Sequence, residues 1–80
     1  MTDAETYRLY LRTAIDFIKE DAFQERDLAD RSDWEDRVYH RGVLFGFYSV
    51  LSTLQQHAPP LGITLEEISL ADLDPDKELL

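Results

Sequence analysis

Four side chains of chemically capable type fall around one point of this 80-residue chain. Asp21 and Glu25 stand four residues apart, as do Asp36 and His40, so each pair shares one face of a helix. A reversal at residues 31–32 would set residues whose numbers sum to about 63 side by side, which brings Glu25 to the region of Val38 to His40. Three carboxylates and one imidazole within reach of one another would suit Mn, Fe or Zn, or acid–base chemistry. The spacing argues the other way, because helix-bundle di-metal sites use Glu-x-x-His and no such run occurs. The expectation is that Trp34, Val38 and Phe45 turn inward near the reversal and leave Asp36 and His40 in water. Neither a metal, nor a cofactor, nor an enzymatic activity is expected.

A second pattern is basic. Arg8, Arg12, Lys19 and Arg26 lie within about 40° of one another on a helix, with Phe23 nearby. Alone, such a line could contact phosphates. Here Glu5, Asp16 and Asp30 flank it, and 17 Asp and Glu against 8 Lys and Arg leave a net charge of −9. That excess repels polyanions, so nucleic acid and anionic membranes are not expected partners, and the line reads as a solvated, self-neutralising surface. With no cysteine in the chain, disulfides and thiolate sites are excluded. No Gly-rich phosphate loop, nucleophile elbow or His-Glu-x-x-His run is present. The acids at Asp72, Asp74, Asp76 and Glu78 lack the glycine turn of a calcium loop.

The elements that must position these residues follow from caps and periodicity. Thr2-x-x-Glu5 has capping-box spacing, and the apolar arc of Tyr7, Tyr10, Leu11, Ala14, Ile15, Phe17, Ile18 and Ala22 predicts a helix from about Asp3 to Asp30. Arg31 and Ser32 form the expected turn. Ser32-x-x-Glu35 is a second capping box, opening a helix that runs to His57, where Pro59-Pro60 stops it. Thr64-x-x-Glu67 predicts a short helix through about Ala71, and Asp74-Pro75 a further turn. The chain therefore reads as one all-α domain, with a long antiparallel hairpin over 1–58 and an acidic segment carrying a short helix over 59–80.

Helix 2 is apolar on two sides. Val43, Leu44, Phe47, Val50, Leu51, Leu54 and Ala58 suit packing on helix 1. Trp34, Val38 and Phe45 lie nearly opposite, and Gly42, Gly46, Ser49 and Thr53 run between the two stripes. Glycine inside a helix costs about 0.5–1 kcal/mol relative to alanine, so two of them one turn apart suggest a closely approaching backbone. One hairpin covers only one such face. The expected interface is therefore Trp34, Val38, Gly42, Phe45, Gly46, Ser49 and Thr53, joining two copies into a four-helix bundle. The alternative is that Leu61, Ile63, Leu65, Ile68, Leu70 and Leu73 fold back over that face.

Charge is zoned. Residues 42–58 carry no Asp, Glu, Lys or Arg, whereas residues 59–80 carry six acids and one base. The functional expectation is a non-enzymatic interaction module of immunity, antitoxin or adaptor type, masking a basic protein. Glu66, Glu67, Asp72, Asp74 and Asp76, beside exposed Leu70 and Leu73, would meet that partner. Alternatives are a carboxylate and histidine metal bundle and a purely structural dimerisation module. The acidic N-terminal stretch lacks the basic start and apolar run of a secretory signal, so a cytoplasmic location is expected.

Overall fold

The computed structural model describes residues 1–80 as an all-helical chain without strands. Its elements are α1 (Asp3–Arg31), α2 (Trp34–His57), a 3-10 turn at Pro59–Leu61 and α3 (Pro75–Glu78). The hydroxyl of Thr2 caps α1 by accepting from the Glu5 amide at 3.2 Å. At the hairpin turn the cap is Asp33, whose carboxylate accepts from the Asp36 amide at 3.1 Å. Ser32 was the expected cap, but its hydroxyl instead donates back to the Leu28 carbonyl and helps close α1. Arg37 locks the turn from the other side, donating to the carbonyls of Ala29 at 3.2 Å and Ser32 at 3.1 Å.

The two long helices meet along Ile15, Ala22 and Ala29 of α1 and Leu44 and Leu51 of α2, all buried. Alanines on this seam let the helices approach closely. The remainder of the core comes from the C-terminal segment. Ile68, Leu70, Leu73 and Leu79 complete a buried cluster with Ile15, Ala22, Leu44, Leu51 and Ala58. The segment folds back, as the alternative held, but against the side of α2 that carries Leu44, Tyr48 and Gln55. Trp34, Val38 and Phe45 remain uncovered.

Thr64 does accept from the Glu67 amide at 3.2 Å, yet no helix follows over 64–71. Tight turns take its place: the Ile68 and Ser69 amides bond three residues back, to Leu65 and Glu66, and Ser69 adopts φ 63°. The reason is packing. In a helix Ile68 and Leu70 would point about 200° apart. A left-handed residue between them lets both enter the core, at a cost of roughly 1–2 kcal/mol for a side chain with a Cβ. Ser69 is held there at both ends, its hydroxyl on Asp16 and its carbonyl receiving the Lys19 ammonium at 2.7 Å. The helix in this segment forms later, over Pro75–Glu78, capped by Asp74 with proline at its first position.

Candidate functional site

Near the hairpin turn, Glu25 and His40 do meet. The imidazole Nδ1 lies 2.7 Å from a Glu25 oxygen, with both side chains about four-fifths buried. Asp21 and Asp36 stay exposed, and no group of three or more His, Asp and Glu side chains converges. The predicted quartet is thus a pair that ties α1 to α2. His40 is not in water as expected, because the inward turn of Trp34, Val38 and Phe45 that would have displaced it does not occur.

The basic line turns out to have a ligand within the chain. Arg8 lies 3.7 Å from Glu67, Lys19 sits 2.8 Å from Asp72, and Arg26 donates to the Glu78 carbonyl at 3.4 Å. The expected stacking residue, Phe23, carries the Arg26 guanidinium 4.8 Å above its ring. A groove results, walled by α1 and α2, and its other side reads the same segment. The Gln55 amide donates to the carbonyls of Leu70 at 3.0 Å and Leu73 at 2.8 Å, while the Tyr48 hydroxyl donates to Asp76 at 2.6 Å.

This seat corrects the expected partner surface. Leu70 and Leu73 are buried in the core, because Ile68, Leu70 and Leu73 plug the groove. Among the five carboxylates assigned to a basic partner, Glu67, Asp72 and Asp76 pair with Arg8, Lys19 and Tyr48. Asp74 accepts from the Lys77 amide at 3.4 Å. Glu66 alone of the five has no such contact, while Asp72, Asp74 and Asp76 make theirs at the solvent-exposed rim of the groove.

Two of these contacts set a pH window. The Lys19 ammonium beside Asp72 holds its carboxyl below the usual 3.8. A lowered carboxyl contributes stability above its unfolded value and loses it as pH falls through the folded one. Donation to Asp76 pushes Tyr48 above 10.0, with burial second and the carboxylate's charge third. That contribution is complete below the unfolded value and is lost as pH rises through the folded one. The stabilisation over Asp72→Asn should therefore be present at neutral pH and be lost as acid takes the solution below the usual carboxylate range, and that over Tyr48→Phe should persist at neutral pH and be lost only in alkali above the usual tyrosine range. Asp72 is mostly exposed, so its share is no more than a few tenths of a kcal/mol. Thermal melts of the variants against pH check both signs.

Opposite the groove, the hairpin is bare. Ile18, Val43, Gly46, Phe47 and Val50 line a shallow apolar trough there, and Tyr10, Ala14 and Phe17 continue it on α1. Tyr10 and Phe17, expected inside, are 72% and 63% exposed, since the C-terminal segment draws the core toward the opposite side of α1. The seven residues of the predicted interface are all exposed, over a wide arc of α2. Gly46 borders the trough and Thr53 lies further along it, beside Val50 and Leu54. Phe45 lies roughly 160° round the helix from Val43. No backbone of the same chain approaches the glycines, for a Cβ added at Gly42 or Gly46 meets nothing within 4 Å. Gly42→Ala should therefore stabilise the chain by about 0.5–1 kcal/mol through helix propensity. A denaturant titration that found destabilisation would mean a neighbour beside Gly42.

The fold and its seams define the class: an all-α helical hairpin whose C-terminal segment is seated on one face. Comparison with protein-family models, with curated proteins and with solved structures finds no match for the chain. No helix is long and apolar enough to cross a membrane.

Proposed function

We propose that this chain is a self-associating protein–protein interaction module, in which two hairpins pack bare face on bare face as a four-helix bundle. The observation that carries the reading is the apolar trough of Ile18, Val43, Phe47 and Val50, opposite the face filled by the chain's own segment. Magnitudes support a second copy as its occupant. A chain of this mass that buries its core alone exposes roughly 5,000 Å², whereas this one exposes 5714 Å². The excess, on the order of 700 Å², approaches the roughly 800 Å² per partner of a standard interface. The molecule is a slab of 48 × 23 × 16 Å, so its broad face spans on the order of 1,000 Å², enough for such an interface.

Charge favours the same arrangement. Gly42–Ala58 has no ionised side chain apart from any charge on His57, so two copies can overlap there without burying unpaired charge. The C-terminal segments then lie on the outside, with Glu20, Glu35, Asp36 and Glu66 facing solvent. This acidic exterior suits a basic protein partner, whose encounter would be accelerated at low salt. Light scattering at tens of micromolar should return twice the 9.3 kDa chain mass; a monomer at that concentration would overturn the reading.

A further inference from the structure

The C-terminal segment sits in its groove as a peptide sits in a receptor. Beyond the Ile63 amide, which bonds to Ala58, no backbone-to-backbone hydrogen bond joins the segment to the hairpin. Side chains do all of the reading. Four apolar plugs, Ile68, Leu70, Leu73 and Leu79, enter the core. Gln55 and Lys19 take the carbonyls of Leu70, Leu73 and Ser69, and Arg8 and Lys19 take the carboxylates of Glu67 and Asp72. None of these contacts requires that groove and segment belong to one molecule. The connector is exposed at Pro59, Pro60, Leu61 and Gly62, and Gly62 has φ 78°.

What could replace the segment is sharply limited. It supplies four of the nine residues of the buried cluster, so an empty groove would expose the core. A replacement must bring the same apolar plugs at the same spacing, with acids opposite Arg8 and Lys19. A second copy of this chain meets that requirement residue for residue, and exchange of identical elements conserves every contact in the groove, losing only the turn bonds of the connector, Leu61 to Ala58 and Gly62 to Pro59. We infer that the α1–α2 groove is an acceptor site for the acidic, leucine-bearing segment of a second copy: chains refolded together at high concentration exchange residues 63–80 about the Pro59–Gly62 connector, whereas a chain folded by itself keeps its own segment in the groove. This contact uses the face opposite the bare trough and does not depend on the bundle.

Complementary charge reversals test it in the full chain, with Val50→Asp added throughout to remove bundle contacts. One variant carries Arg8→Glu and Lys19→Glu, and the other carries Glu67→Lys and Asp72→Lys. Each alone sets like charges against each other within its own groove, and both pairings are restored only when the two chains exchange segments. After annealing the mixture from urea, native mass spectrometry should show heterodimer exceeding either homodimer by about tenfold, against about twofold for random pairing. A control partner carrying Glu20→Lys and Glu35→Lys has the same net charge as the second variant but an unaltered segment, and should give only the random ratio. Monomers alone, the random ratio, or the same excess with the control would overturn the inference. Should either variant fail to fold alone, a cooperative melt regained only in the mixture supports exchange, and its absence refutes it.

Discussion

Leu70→Ala is expected to destabilise the chain more than any other single truncation in the C-terminal segment, by about 2–5 kcal/mol. Leu70 is fully buried and is one of only eleven buried residues in the chain. Its neighbours in the cluster come from α1, α2 and the segment itself, so the void would open where all three meet. The carbonyl of Leu70 is also one of the two held by Gln55, which limits how far the backbone can move to fill the space. Domains of this size have total stabilities near 5–15 kcal/mol, and each kcal/mol moves the melting point by about 4–8 °C. The variant should melt at least about 10 °C lower. Leu61→Ala serves as the contrast: Leu61 is 77% exposed, so its truncation should fall within about 0.5 kcal/mol of the parent. If Leu70→Ala melts beside Leu61→Ala, the segment is not seated in the groove.

The hairpin was legible because its signals are local. Apolar spacing near 100° per residue, the Thr2 cap and the Pro59-Pro60 stop together bound α1 and α2 to within a residue or two. The register near the turn was legible for the same reason, which is why Glu25 and His40 were expected as neighbours. The path of the C-terminal segment was not legible. Its plugs at Ile68, Leu70, Leu73 and Leu79 follow no single period, and the device that aligns the first two is a left-handed serine. Such a conformation reads from sequence only when glycine or asparagine announces it. The basic line on α1 reads from sequence as a solvated surface, because its partners lie more than fifty residues away and no window along the chain joins them. One signal was nevertheless present. A helix with bases on one edge and a segment of residues 59–80 with six acids and one base are complementary in sign. The inner face of α1 differs from its apolar arc for a related reason. Tyr10 and Phe17 fit the apolar arc, but that arc is wider than one neighbour can cover, and the segment took its other edge.

Val50→Asp should convert the proposed dimer to a folded monomer, raising the dissociation constant by at least about a hundredfold. Val50 borders the trough beside Gly46 and Phe47, at the middle of the charge-free stretch, and is half exposed in the single chain. Aspartate there costs the monomer little, because its carboxylate stays in water. In a twofold interface the substitution enters twice, and each copy would bury a carboxylate with no basic side chain on the facing Gly42–Ala58 stretch. A penalty of about 3 kcal/mol over both copies already gives the hundredfold change. Phe45→Asp is the matched comparison. Phe45 is similarly exposed but lies far round α2 from the trough, next to Tyr48. It should leave both the fold and the mass unchanged. Light scattering across concentration, with circular dichroism to show that α2 is intact, separates the outcomes. A Val50→Asp chain that keeps the mass of two protomers would place the interface elsewhere, and a Phe45→Asp chain that alone became monomeric would move it to the side of α2 bearing Trp34, Val38 and Phe45.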